Sequence, residues 1–210
     1  MQLKEIKRMY RLYMNGIVSH SMREKGAEYR VNFGLTLPLL TRIAQQVTPS
    51  ADIAEELWHD TGVRESMLLA PMLHPIEGFT VEDARRWIEE IPNIEVSDFC
   101  CKYLFSRLDY APSLVIEYTR SNKEIELYTG FRLGYSLLDR ENLSDEWIKT
   151  ISNQAIDTAY RSHSNSGHAA LRFLTEGLMS GKGRYIAETL QQSTQIDNEW
   201  REQLMTWYEP

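Results

Sequence analysis

His168-Ala169-Ala170-Leu171-Arg172-Phe173-Leu174 is the stretch on which the fold turns. Its apolar residues fall at three- and four-residue spacing, the period of a helix with one face packed inward. Three other stretches have the same dense apolar centre: Arg64-Glu65-Ser66-Met67-Leu68-Leu69, Asp98-Phe99-Cys100-Cys101-Lys102-Tyr103-Leu104 and Leu127-Tyr128-Thr129-Gly130-Phe131-Arg132-Leu133. Their starts recur at roughly 30–40 residues, the period of stacked helical repeats. The four share little letter-by-letter identity. What repeats is the pattern, which predicts an all-α solenoid of antiparallel helix pairs.

Working outward, the boundaries agree with that reading. Leu3, Ile6, Met9, Tyr10, Tyr13, Met14, Ile17 and Val18 predict one long first helix. A glycine-bounded loop follows over Gly26–Gly34, and a helix then starts near Thr36 with Pro38 in its first turn. Ser50 caps a helix to about His59, and Gly62 leads into another over Val63–Leu73. Thr80-Val81-Glu82-Asp83 has the form of a capping box opening a helix that Pro92 stops. Further helices are expected near 97–107, 113–121, 124–138, 144–160, 166–179, 184–192 and 198–208. No Asn-Gly or Asp-Gly pair separates alternating apolar residues as in a hairpin. The expectation is one domain over residues 1–210, a HEAT-like α-α superhelix whose second helices line the concave side.

Composition narrows the function classes. The chain has 210 residues, 42% hydrophobic and 25% charged, as in ordinary globular proteins. Its only two cysteines, Cys100 and Cys101, are adjacent, which excludes a disulfide framework and fits a reducing cytoplasm. Nothing at the N-terminus reads as a signal peptide, and no apolar run is long enough for a membrane span. The formal net charge is −7, but it is unevenly spread. Residues 1–42 hold eight Lys and Arg against Glu5, Glu24 and Glu28, whereas residues 43–100 hold three against twelve acidic ones. Arg161, Arg172, Lys182 and Arg184 oppose Glu176 alone over 161–184. Brought together, the two basic regions would line a surface for an anionic ligand; apart, they are solvated helix faces.

Several segments resemble the HEAT-repeat DNA alkylation-repair family, the AlkD-like DNA glycosylases. Met14–Ala44 resembles the opening of that family, with a basic loop, a Gly-x-x-x-Pro turn and an apolar-basic helix in order. Gly62-Val63-Arg64-Glu65-Ser66-Met67-Leu68-Leu69-Ala70 resembles its Arg-Glu helix. Asn93-Ile94-Glu95-Val96-Ser97-Asp98 stands where the family has Trp-Asp-x-x-Asp, and His168-Ala169-Ala170-Leu171-Arg172 resembles the end of its Lys-Ala-x-x-Trp-Ala-Leu-Arg helix. The resemblance implies a helical solenoid with duplex DNA on a concave basic face. It also implies excision of N3- or N7-alkylated purines by a carboxylate that stabilises the oxocarbenium ion and positions water, without metal or cofactor. Asp98 matches the catalytic carboxylate. Ile94 replaces one tryptophan and Ala169 the other, and the phosphate-binding arginine falls at Thr129, or at Tyr128 if the alignment slips by one. Arg132 lies one helical turn further on. The resemblance is therefore to a divergent member lacking most of the catalytic motif residues.

Read from the residues alone, Asp98 has a second interpretation as a helix cap or first-turn residue. The Ser/Asn-rich start at His163-Ser164-Asn165-Ser166 offers amides and hydroxyls to a phosphate or to ordinary capping. Gly181-Lys182-Gly183-Arg184 resembles a short nest with two cations but is no Walker motif. His163 and His168 lack the spacing of a zinc site. The candidate DNA-binding residues are Lys25, Arg30, Arg64, Arg132, His168, Arg172, Lys182 and Arg184, with Asp98 the candidate catalytic group. The expected function is duplex DNA binding, including damaged or non-standard structures, with weak or absent glycosylase activity. An active glycosylase using Asp98 and, given the acidity, a protein-interaction scaffold are the alternatives.

Overall fold

The computed structural model describes residues 3–208, so the ends of the domain expected over 1–210 lie outside the described residues. Thirteen α-helices are present among them: α1 (Leu3–Leu12), α2 (Gly16–Glu24), α3 (Leu37–Ala44), α4 (Ala51–Trp58), α5 (Arg64–Leu73), α6 (Val81–Glu90), α7 (Ile94–Tyr103), α8 (Ala111–Tyr118), α9 (Glu124–Leu137), α10 (Asp145–Arg161), α11 (Asn165–Leu178), α12 (Gly183–Gln192) and α13 (Asn198–Met205). The described backbone has no strand, only an isolated parallel bridge between Val31 and Val63. No described helix is long and apolar enough to cross a membrane. The chain divides into two compact units, one ending at Phe79 and one beginning at Thr80.

In the first unit, α5 packs on α3 and α4, and α1 packs on α4. The long first helix expected from periodicity is in fact two. Asn15 interrupts it, its side chain accepting from Ile17 N and Val18 N at 3.1 Å to start α2. A local cap thus overrides a continuous apolar pattern, and Ile17, expected in the core, is 84% exposed. The glycine-bounded loop is held by the start of α5. Val31 N donates to Gly62 O and Arg64 N to Val31 O. The Glu65 carboxylate, fully buried, accepts from Phe33 N and Leu35 N at 3.1 and 3.2 Å and from Arg64 Nη1 at 3.1 Å.

In the second unit, α9 lies between α7 and α11, while α8, α10 and α12 follow one another against their other side. The result is two layers of helices joined by short connections, as the repeat spacing predicted. Trp87, Phe105, Phe131 and Phe173 form the bulk of its core. Gly130 is required where α9 crosses the end of α8, because a Cβ there would stand 2.6 Å from Thr119 N. Cys100 and Cys101 are free and fully buried. Burial raises both thiols, that of Cys101 to about 12, where Arg132 pulls down and Asp98 pushes up more weakly.

Candidate nucleic-acid interface

The solvent-facing side of α7, α9 and α11 carries a groove of three adjoining hollows. A central one of about 260 Å³ is lined by Ile94 and Asp98 from α7, Tyr128, Arg132 and Tyr135 from α9, and Asn165, His168, Ala169 and Arg172 from α11. A more apolar hollow of about 480 Å³ adjoins it through Ile94, Tyr128 and Asn165. A polar one of about 440 Å³ shares Arg132 and Tyr135 and adds Lys102, Ser106 and Ser136. Helical geometry explains the grouping: residues three, four and seven apart share a face, as Tyr128, Arg132 and Tyr135 do.

Asp98 is the centre of the polar network. Its Oδ1 accepts from Tyr128 Oη at 2.9 Å and from Arg132 Nε at 2.7 Å. Its side chain is 43% exposed and that of Arg132 only 17%. Asp98 is not a cap: α7 begins at Ile94, and Asn93 caps it by accepting from Val96 N at 3.1 Å. The helix starts three residues earlier than its pattern suggested because the asparagine supplies the cap. Arg132 also donates to Ser136 Oγ at 2.8 Å. The Tyr135 ring is flanked by two guanidiniums, Arg132 at 5.0 Å and Arg172 at 4.6 Å. Such contacts hold both cations in place without neutralising them. Arg172 is 56% exposed and lies 3.6 Å from Glu176. Burial, then the adjacent Asp98 charge, raises the Tyr128 hydroxyl above its ordinary value, so it remains a donor.

The structure therefore brings Asp98, Arg132, His168 and Arg172 to one hollow, with the replacement residues Ile94, Tyr128 and Ala169 around it. Thr129 faces inward, its Oγ1 donating to Ile125 O and lying 2.8 Å from Ser97 Oγ; Tyr128 is the position at the groove. Lys182 and Arg184 stand at the start of α12, Arg184 exposed and 3.4 Å from Glu188. Lys25 and Arg30 are exposed on the first unit, Arg30 resting over Gly62. Arg64 is a correction. It is buried, and its Nη1 donates to Leu35 O and Glu65, so it fixes the loop before α3 and presents no cation to solvent. The Ser/Asn-rich start of α11 is likewise occupied by the protein's own anion: Glu124 accepts from Ser166 N and Ser166 Oγ, each at 2.8 Å. Burial of Glu124 is outweighed by these bonds and one from Ser164, leaving its carboxyl lowered. Tyr135 escaped the sequence reading, although its spacing from Arg132 and Tyr128 placed it on the same helical face.

Fold and groove together define a stacked-helix repeat protein with a polar, arginine-bearing face. A family model described as DNA alkylation repair enzyme matches residues 12–172, and the chain belongs to that family. A solved structure described as a new family related to the HEAT-like repeat DNA glycosylases, with affinity for branched DNA structures, superposes with a TM-score of 0.80. It is 20% identical, and the match covers 91% of this chain and 83% of that one. The fold is thus HEAT-like, as the sequence led us to expect. No curated protein sequence matches the chain significantly.

Proposed function

We propose that this protein binds DNA through the α7–α9–α11 groove, reading backbone and strand geometry, with release of alkylated purines weak or absent. The observation that carries this reading is the bonding of Asp98. Its carboxylate is engaged by Arg132 at 2.7 Å and Tyr128 at 2.9 Å, so a substrate must compete with both for it. A carboxylate held by two donors of a neighbouring helix is not aimed at a sugar cation or an attacking water, and it must exchange those donors to act on either. Ile94 and Ala169 line the same hollow without an aromatic surface for the lesion nucleotide. Loss of such positioning reduces rate by ~10²-fold for a misplacement of about 1 Å.

Arg132 and Arg172, held against Tyr135, are the phosphate contacts of the groove. His168, Lys182 and Arg184 supplement them on the second unit, and Lys25 and Arg30 give the first unit basic contacts of its own. The branched-DNA affinity of the structural neighbour supports a preference for interrupted strands over continuous duplex. Two assays test this. Binding to duplex and to a four-way junction should weaken steeply between ~50 and ~200 mM salt, because released counterions drive it. No binding to either, at either salt, returns the chain to the class of protein-interaction scaffolds. Single-turnover release of 7-methylguanine and 3-methyladenine should be equally slow in the wild type and Asp98→Asn. Efficient release that Asp98→Asn abolishes would establish the glycosylase instead.

A further inference from the structure

The turn between α1 and α2 holds the three most exposed large apolar side chains among the described residues: Ile17 at 84%, Leu12 at 74% and Met14 at 64%. On α1 itself Ile6 and Tyr10 are buried, and elsewhere in the first unit the only other exposed large apolar side chain among the described residues is Leu37, at 40%. The turn is rigidly held. Asn15 N donates to Phe33 O at 2.8 Å, and the Asn15 side chain caps α2. Behind it lies Gly34 at φ 70°, where a Cβ would stand 2.3 Å from Asn15 O and 2.6 Å from Ser19 N. Only glycine allows the loop to back the turn so closely. Cations flank the α1 side of the turn. Arg8 and Arg11 line a hollow with Met9 and Leu12, and Arg42 lies 5.5 Å over the Tyr13 ring. Neither Arg8 nor Arg11 has an ion-pair partner among the described residues, in the segment that carries the most positive charge of an acidic chain.

We propose that this turn is an apolar wedge that enters an open base step of branched DNA, with Arg8, Arg11 and Arg42 on the flanking phosphates. The proposal rests on the reading of the chain as a DNA binder, and it adds a second contact region on the first unit. Charge complementarity selects the partner: arginines beside exposed apolar side chains match a polyanion whose bases present apolar faces. Leu, Ile and Met are residue types that wedge between base steps and unstack them. Unstacking a continuous duplex is unfavourable, whereas at a branch point the stack is already broken. The wedge therefore gains more from a junction than from a duplex, which makes it a device for strand geometry rather than sequence. Its rigidity matters because a preformed turn loses little conformational freedom on insertion.

The test uses the full chain, a four-way junction carrying 2-aminopurine at the branch, and a continuous duplex with the same label. Wild type should raise the junction fluorescence and prefer junction over duplex. The triple variant Leu12→Gln, Met14→Gln, Ile17→Gln, at exposed positions, should lose that rise and roughly tenfold of the preference, with duplex affinity changed less than about twofold. Arg8→Gln with Arg11→Gln should weaken both DNAs and reduce the salt slope by about 2. Retained preference and fluorescence in a folded triple variant overturn the wedge while leaving DNA binding intact. Absence of binding by the wild type to both DNAs overturns the wedge and the DNA-binding reading together. Two other outcomes also overturn it: unchanged DNA binding with wild-type-only association to phosphatidylserine vesicles, or a wild-type dimer that the triple variant abolishes.

Discussion

Each unit contains an acid–arginine pair, and the two behave oppositely. In the first, Arg64 and Glu65 are 5% and 0% exposed, and the carboxylate also accepts two backbone amides. In the second, Asp98 is 43% exposed beside Arg132 and opens onto a groove. The same chemical pair is architecture in one place and surface in the other. Burial decides which: a fully desolvated pair is committed to its partners, whereas a half-exposed one can exchange them for a ligand.

The largest expected effect follows from the buried pair. Glu65→Ala removes the buried countercharge of Arg64 and the acceptor of the Phe33 and Leu35 amides, and should cost about 3–5 kcal/mol in urea unfolding. A loss below about 1 kcal/mol would mean that burial does not set the two pairs apart. Asp98→Asn should alter stability by ~1 kcal/mol or less, since its pair is solvated. Freed from its carboxylate, Arg132 should instead tighten DNA binding a few-fold and steepen the salt slope by about 1, a gain that Arg132→Gln cancels. Unchanged affinity in Asp98→Asn would mean that Arg132 meets no phosphate. The smallest effect concerns Glu124, which accepts from Ser166 N and Oγ in the first turn of α11. Its carboxyl is lowered from its ordinary 4.5 in the folded chain, so its stabilisation is present above that value and lost as pH falls through the folded one. Glu124→Gln should therefore show a shallower loss of stability in acid than the wild type, measured by unfolding at stepped pH.

Most of the helical frame was legible in the sequence because it is written in local rules. Thr80 with Asp83 and Ser50 each cap the helix their spacing announced, and Ser144 and Ser164 cap within two residues of the expected starts. Periodicity failed where a polar residue intervened, at Asn15 inside an unbroken apolar pattern and at Asn93 ahead of one. The site was legible in part. Helical spacing placed Arg132 near Asp98's helix mates only through the family resemblance, since the contact spans 34 residues of sequence. Arg64 misled for a physical reason: sequence shows a charge but not its desolvation, and here the neutralising carboxylate is the next residue. Tyr135 carries no motif at all, yet its ring organises both groove arginines.

The buried cysteines give the second unit an internal clock. The sequence has no others, and both thiols are fully enclosed and raised by burial, Cys101 to about 12. A thiol reagent attacks the thiolate, so neither sulfur reacts while α7 is packed. The rate of labelling therefore measures how often that unit opens, and the first unit, having no thiol, stays silent. Loosening confined to the first unit would leave the labelling rate unmoved, whereas loosening that spreads to α7 would accelerate it.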